Sequence, residues 1–273
     1  MKALLFVKDT PIALETSRDV KGVLESLGVQ TEVFVNIREA KQKPSVEGFG
    51  LMVVVGGDGT FLAGARLASR HGVPLLGINQ GRFGFLTEVE KGEVEELIEN
   101  ILKGSIKAQR RMMLSAILLR DSEETYIGDY LNDVVVSKES LARMVELDVW
   151  VEGESVLRVY GDGVIVSSPT GSTAYALSAG GPIIYPLSEA ILFVPICPHT
   201  LSNRPLVLPP DFKLRLTNLS DDHMAYLTLD GQEGMSLRRG DEVVVKRSDH
   251  YCLMYPNPKR SFFGILREKL RWG

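Results

Sequence analysis

Cysteine and histidine are scarce in this sequence, which contains two cysteines and four histidines among 273 residues. Cys197 and Cys252 stand in unrelated contexts without a C-x-x-C pair, which argues against a disulfide framework and against a zinc site. No apolar run approaches the roughly 18 residues that cross a bilayer, and the N-terminus lacks the apolar core of a signal peptide. We therefore expect a cytoplasmic protein with no membrane partner and no metal site of its own.

The sequence also lacks an excess of positive charge, because its formal net charge is -4. A chain of this charge has no bulk attraction to nucleic acid, so any phosphate binding must come from specific local groups. Hydrophobic residues make up 44% and charged residues 24%, as is ordinary for a globular protein with a buried core. We expect no nucleic-acid partner.

Apolar runs alternate with helical patterns in the first part of the chain. This alternation is typical of an open parallel α/β sheet with covering helices. The predicted strands are 3–7, 33–35, 51–55 and 74–78, and the predicted helices are 13–27, 60–71 and 93–102.

Short strands separated by Gly, Asn, Asp and Pro turns dominate after residue 104, which indicates a larger β-rich second domain. The tail SFFGILREKLRWG is helical and amphipathic, and we expect it to pack back on the first domain. The predicted domains are 1–103 plus 258–273, and 104–257. The predicted strands of the second domain are 112–119, 134–137, 145–151, 164–168, 192–196, 213–216, 226–229, 243–246 and 252–254.

The apolar strand 51–55 leads into the glycine-rich loop GGDGT (56–60). A strand without polar alternation is buried on both faces, and its carboxyl end is where such a sheet presents a ligand crevice. The glycines allow positive φ and close approach, Thr60 can cap the following helix, and converging amides favour phosphate. Asp58 repels phosphate unless it holds a metal or accepts a proton, and the alternative is a plain Asx turn.

A second candidate site is GDGVIVSSPTGSTAYALSAGG (161–181), where five hydroxyls fall within 167–173. These hydroxyls, the amides of the next helix and the Tyr175 ring suit a polar ligand, although hydroxyl-rich loops are often only solvated. Asp162 is a second exposed carboxylate, suited to ribose or amide groups.

Two further stretches carry polar or aromatic candidates. Asn132 and Asp133 precede a buried strand and form either a turn or a grip on an adenine edge and ribose hydroxyls. Phe83 and Phe85 flank glycine turns and either stack on a base or plug the core.

Taken together, these motifs resemble the NAD kinase family, which transfers a phosphoryl group from ATP to the 2'-hydroxyl of the adenosine ribose of NAD to give NADP. The resemblance runs through GGDGT, NQGRFGFL, LND, the 161–181 block, PHTLSNRPLVL and LDGQ, and so covers both inferred domains. GGDGT is shared with lipid and phosphofructo-type kinases, whereas the TGSTAY block is highly specific.

The resemblance implies a role for each matching residue. Asp58 resembles the catalytic base, and Gly56, Gly57 and Thr60 resemble the phosphate loop. Tyr160 departs from the family, because many members carry Arg or Lys there, and this affects specificity on the nicotinamide side. The substrate-binding set implied by the resemblance is Gly59, Phe85, Asn132, Asp133, Arg143, Tyr160, Asp162, Thr173, Ala174, Tyr175, Ala176, Leu177, Ser178 and Gln232.

The resemblance also implies a β-sandwich second domain, a homodimer or homotetramer, NAD, NADP and ATP as ligands, and a divalent metal. Mg²⁺ is expected to arrive with ATP, and polyphosphate is an alternative donor. Two other functions stay open from the residues, namely a lipid kinase sharing GGDGT and a dinucleotide sensor without turnover.

Overall fold

A computed structural model describes residues 1–37, 43–80, 84–139, 144–221 and 224–272. The chain divides into two compact units, of which unit 1 contains Met1–Arg110 with Cys252–Gly273 and unit 2 contains Arg111–Tyr251. No helix within the described ranges is both long and apolar enough to span a membrane.

Helices and strands are numbered along the chain. The helices are α1 Pro11–Ser26, α2 Asp58–Ala68, α3 Val94–Leu102, α4 Tyr175–Ser178 and α5 Phe262–Leu270. The strands are β1 Lys2–Lys8, β2 Gln30–Asn36, β3 Leu51–Val55, β4 Leu75–Ile78, β5 Gln109–Arg120, β6 Glu123–Tyr130, β7 Asp133–Lys138, β8 Val145–Val151, β9 Glu154–Gly161, β10 Gly163–Ser167, β11 Ile191–Ile196, β12 Leu206–Leu208, β13 Leu214–Asn218, β14 Ala225–Leu229, β15 Glu233–Leu237 and β16 Glu242–Met254.

Unit 1 is an α/β unit built on parallel strands in the order β2-β1-β3-β4. Every residue of β3 is fully buried, which confirms that this apolar run lies inside the sheet. The end of β16 joins the same sheet in parallel, where Met254 pairs with Leu75. Helix α5 also belongs to unit 1, and it begins after Ser261, whose hydroxyl accepts a hydrogen bond from the Gly264 amide.

Unit 2 is β-rich and contains strands of two sheets. One has the order β12-β11-β10-β7-β14-β15, and the other contains β16-β13-β8-β9 with β5 and β6 attached through β16. Strands β8 and β14 alternate buried and half-buried residues, whereas β7 is buried on both faces. The buried residues on one face of these strands meet in one apolar core with those of β5, β10, β13 and β16. A sheet residue buried on one face needs an apolar partner layer, and the two sheets provide it for each other.

Four strands of unit 2 fall outside the predicted set: β6, β9, β12 and β15. β6 (EETYIGDY), β9 (ESVLRVYG) and β15 (EGMSL) are mostly exposed or half-buried, and β12 has three residues. Their composition therefore resembles that of loops, and hydrogen bonding to a neighbouring strand decides their conformation instead. The predicted strands 243–246 and 252–254 are parts of the single strand β16.

Candidate active site

The loop after β3 enters α2 earlier than the sequence predicted. Helix α2 begins at Asp58 with Gly57 as its N-cap, and no side chain caps it. The expected capping role of Thr60 is therefore wrong, because Thr60 lies inside the first turn and is buried. The N-cap of α2 is thus a glycine, which has no side chain to occupy the start of the helix.

None of the glycines of this loop has a positive φ, and one of them, Gly56, is needed for close packing. Gly57 has φ of -101°, Gly59 lies within the helix, and Gly56 is not in the left-handed region. A Cβ on Gly56 would lie 2.6 Å from the Oγ1 atom of Thr60, so only glycine fits there. The predicted positive φ is therefore wrong, and the predicted close approach of a ligand to these glycines stays a prediction.

The Asp58 carboxylate is held by the segment 84–87 of the same unit. Its Oδ2 atom accepts a hydrogen bond from the Phe85 amide at 2.8 Å. Its Oδ1 atom accepts bonds from the Leu86 amide, the Thr87 amide and the Thr87 hydroxyl, each at 3.1 Å. A Cβ on Gly84 would lie 1.8 Å from Oδ1. Asp58 therefore forms long-range bonds and not the Asx turn that the sequence left open.

In unit 2, the turn that precedes β7 is fixed by Asp230. The Asp230 carboxylate accepts hydrogen bonds from the amides of Leu131 at 3.2 Å, Asn132 at 2.8 Å and Asp133 at 3.2 Å. The Asp230 amide in turn donates to the Asp133 carbonyl at 2.9 Å. The Asp230 side chain was not among the predicted site residues, although the LDGQ motif that contains it was noted.

The same turn borders a pocket of about 370 Å³ within unit 2. Burial and, secondarily, the charge of Asp230 raise the pKa of Asp133 to about 7. The pocket thus contains an amide, a carboxyl group that changes charge near neutral pH, and an aromatic ring, which suits a nucleoside. Its lining residues are Asn132, Asp133, Val135, Ser137, Ala174, Tyr175, Thr228, Asp230 and Gly231.

The serine hydroxyls of the 161–181 block bind the protein itself. Ser168 donates to the Leu131 carbonyl, and Ser167 donates to the Asn132 carbonyl at 3.1 Å. The Ser172 hydroxyl donates to the Pro169 carbonyl at 2.7 Å. All three serines are fully buried, so the interpretation of these hydroxyls as ligand contacts is wrong for them. They shape the loop that holds the turn before β7.

The helical end of this block divides between core and pocket. Tyr175 is 46% exposed and Ala174 lines the pocket, whereas Ala176 is fully buried in a small core with residues of β7, β10 and β11. Burial raises the pKa of Tyr175, and the nearby charges of Asp162, Cys197 and Asp133 add to this effect. Because the Ala176 side chain has no exposed surface, it is not a ligand contact in this structure. Thr173, Leu177 and Ser178 flank these residues, and the Thr173 hydroxyl donates to the Thr170 carbonyl at 3.3 Å.

Asp162 is paired with a cation that the sequence did not single out. The Lys138 Nζ atom lies 2.7 Å from the Asp162 Oδ1 atom, and the Lys138 amide donates to the Asp162 carbonyl. Tyr160 is exposed at the end of β9, and its ring meets the His199 ring edge-on at 6.3 Å. Lys138 could have been noticed only from the pairing of β7 with β10, since 24 residues separate it from Asp162.

Some predicted residues stay outside these clusters. Arg143 and Phe83 lie outside the described residues. Gln232 lies in the β14–β15 turn next to Gly231, and its amide donates to the Leu229 carbonyl. Phe85 is half-buried beside the bonds to Asp58. Across the part of the chain that the structure describes, no group of three or more His, Cys, Asp or Glu side chains could hold a metal ion.

Comparison with known proteins links both units to one family. A model described as the ATP-NAD kinase N-terminal domain matches residues 6–106, and one described as the ATP-NAD kinase C-terminal domain matches residues 131–256. The NAD kinase of Aquifex aeolicus (strain VF5) is 54% identical over 272 residues, covering 100% of this chain and 99% of the relative. The NAD kinase of Heliobacterium modesticaldum (strain ATCC 51547 / Ice1) is 44% identical over 272 residues, covering 97% and 96%.

Two solved structures share the fold. Yeast NADH kinase complexed with NADH superimposes with a TM-score of 0.88 at 26% identity, covering 100% of this chain and 88% of that one. An NAD kinase from Archaeoglobus fulgidus in complex with ATP gives a TM-score of 0.80 at 28% identity, covering 98% and 99%.

Proposed function

The chain belongs to the ATP-NAD kinase family, and from this premise we propose which of its residues carry out the reaction. The enzyme phosphorylates NAD with ATP as the phosphoryl donor. Both family domains match the chain, so the two alternatives, a lipid kinase and a dinucleotide sensor without turnover, have no support. The acceptor is the 2'-hydroxyl of the adenosine ribose, as the resemblance implies.

The pocket of unit 2 is the observation that carries the binding proposal. Asn132, Asp133, Ala174 and Tyr175 all line it. We propose that the adenosine part of NAD binds here. The side-chain amide of Asn132 and the carboxyl group of Asp133 would contact the base edge and the ribose hydroxyls. An amide and a carboxyl group offer both donors and acceptors, as these groups require.

Asp58 is proposed as the general base that accepts the proton of the 2'-hydroxyl. Three backbone amides and one hydroxyl fix the orientation of its carboxylate. Among the described residues, Oδ2 accepts one of these bonds and Oδ1 accepts three, so Oδ2 keeps a lone pair for the proton. A base that is held in one orientation lowers the entropic cost of the transfer.

The start of α2 is proposed to bind the phosphates of ATP. Its N-cap is a glycine without a side-chain bond, and Gly57 and Gly59 are exposed, so phosphate oxygens can approach the backbone closely. Mg²⁺ is proposed to enter as part of the ATP complex, and it would neutralise charge on the transferred phosphoryl group.

The nicotinamide side of the site is proposed to contain the Lys138 and Asp162 pair. Many members of the family carry Arg or Lys at the position of Tyr160. Because Lys138 lies 2.7 Å from Asp162, it supplies a positive charge beside this carboxylate. We also propose a homodimer or homotetramer, which light scattering coupled to size-exclusion chromatography tests directly.

A coupled assay for NADP formation from NAD, ATP and Mg²⁺ tests the catalytic assignment. Asp58→Asn is expected to lower kcat by about 10²- to 10⁴-fold, the usual contribution of a general base, while calorimetry shows NAD affinity within a few-fold of the parent. The exposed Asp211 provides a matched control, since Asp211→Asn should leave kcat unchanged. Turnover of Asp58→Asn within a few-fold of the parent would contradict the base assignment.

A further inference from the structure

Asp230 has a left-handed backbone conformation in the short turn between β14 and β15. Its φ is +50°, and that of Gly231 is +65°. A positive φ is uncommon for residues other than glycine, and Asp is one of the few that tolerate it. Asp230 is only 6% exposed, so its charged carboxylate is buried and needs hydrogen-bond donors.

Those donors are three consecutive backbone amides. Leu131 donates to Oδ2, whereas Asn132 and Asp133 both donate to Oδ1. Successive amides that converge on one anion form a small positively polarised nest, which here is filled by a side chain of the protein itself. Donor and acceptor are 97 to 99 positions apart in the sequence, so no local preference of the turn produces this arrangement.

The carbonyl side of the same turn is fixed independently. The amide of Ser168 donates to the Asn132 carbonyl at 2.9 Å, and the hydroxyl of Ser167 donates to the same oxygen. A Cβ on Gly171 would lie 2.2 Å from that oxygen, so the loop leaves no space for the turn to shift towards it. The turn is thus held between Asp230 on its amide side and the 167–171 segment on its carbonyl side.

We propose that Asp230 is a positioning residue for NAD: by binding the three amides it aims the side chains of Asn132 and Asp133 into the pocket. It acts through the turn and makes no bond of its own to the nucleotide. This inference rests on the proposed function, in which Asn132 and Asp133 hold the adenosine.

The charge of Asp230 gives this role a measurable signature. Burial is the first cause of the raised pKa of Asp133, and the negative charge of Asp230 is the second. Removing that charge lowers the pKa of Asp133, because ionisation then meets less repulsion. Other titratable groups near Asp133 in the described part of the chain include Tyr175, which stays neutral because burial and the charges of Asp162, Cys197 and Asp133 raise its pKa, and Asp162, which is paired with Lys138.

The variant Asp230→Asn keeps the shape of the side chain but places an NH₂ group against amide donors. We expect the KM for NAD to rise about 10- to 100-fold, as for the loss of a hydrogen bond to a charged group, with kcat and the KM for ATP within a few-fold. The midpoint near neutral pH in the profile of kcat/KM for NAD should move to lower pH. The control Asp211→Asn should change neither quantity.

Two outcomes for Asp230→Asn would overturn the inference. One is an unchanged KM for NAD. The other is a lower kcat together with equally raised KM values for NAD and ATP, while the midpoint of the pH profile of kcat/KM for NAD does not move. If Asp230→Asn does not fold, Gly171→Ala displaces the same turn from its other side and keeps the charge. Gly171→Ala should raise the KM for NAD without moving the midpoint of the pH profile. An unchanged KM for NAD would show that the position of the turn does not govern NAD binding. An unchanged KM for NAD in Asn132→Ala would refute the proposed function itself. If Asn132→Ala raises the KM for NAD but Asp230→Asn does not, only the role of Asp230 is refuted.

Discussion

Single residues in unit 1 owe their identity to the Asp58 carboxylate. Gly84 lacks a side chain because the Oδ1 atom occupies the place of its Cβ. Thr87 is fully buried and uses both its amide and its hydroxyl to bind Asp58. The function proposed for Asp58 thus depends on a segment that begins 26 residues later in the sequence.

Gly84→Ala should displace the Asp58 carboxylate and weaken its bonds to residues 85–87. We expect a loss of kcat approaching that of Asp58→Asn, and a loss of about 1–3 kcal/mol in the free energy of unfolding from overpacking. Steady-state kinetics and urea denaturation measure the two effects. Gly92→Ala is the matched control, because no atom lies within 4 Å of its added Cβ. Equal behaviour of the two variants would show that the contact at Gly84 is unimportant.

The sequence indicated candidate residues but not the contacts that these residues make. Asp58 was identified because a carboxylate at the end of a buried strand is chemically unusual. Its partners could not be identified, because hydrogen bonds over 27 to 29 residues leave no local pattern. The contacts of Asp230 were missed for the same reason. Its three partners are backbone amides, which nearly every residue type has, so the sequence carries no signal for them.

At the level of elements, apolar periodicity predicted every strand and helix of the parallel sheet in unit 1 to within a few residues. It failed for β6, β9, β12 and β15, whose polar or very short sequences are made into strands by their neighbours. It also could not distinguish ligand hydroxyls from structural ones. The hydroxyls of Ser167, Ser168 and Ser172 donate hydrogen bonds to backbone carbonyls of the protein, and composition does not show where a hydroxyl points.

Ser168→Ala tests the structural role of that loop. The Ser168 hydroxyl donates to the Leu131 carbonyl and accepts from the Gly171 amide, so its removal leaves two buried groups unpaired. We expect a loss of about 1–3 kcal/mol in the free energy of unfolding, measured by urea denaturation. Ser155→Ala, at an exposed position of β9, should remain within about 0.5 kcal/mol of the parent. Equal stability of the two variants would indicate that the hydroxyl of Ser168 is not needed.

At the scale of the whole molecule, the raised pKa of Asp133 links folding to pH. The folded chain retains this proton up to about pH 7, whereas an unfolded aspartate loses it near 3.8. The folded state therefore binds more protons between these values, and the free energy of unfolding falls as pH rises through this window. A shift of about three units corresponds to about 4 kcal/mol at most.

Asp133→Asn removes this contribution. The difference in the free energy of unfolding between Asp133→Asn and the parent should therefore grow in favour of the variant from pH 5 to pH 8. Urea titrations at a series of pH values measure this difference, from which the titrating groups that do not interact with Asp133 cancel. Asp211→Asn should give a curve parallel to that of the parent. Parallel curves for Asp133→Asn as well would show that Asp133 titrates normally in the folded chain.

The bonds between the turn before β7 and Asp230 also set an order of events during synthesis. Translation completes the glycine loop and the 161–181 block long before residue 230 leaves the ribosome. Until then the three amides of the turn have no carboxylate to bind, and long-range contacts of this kind form late. The proposed adenosine site of a nascent chain is therefore incomplete until Asp230 can bind these three amides.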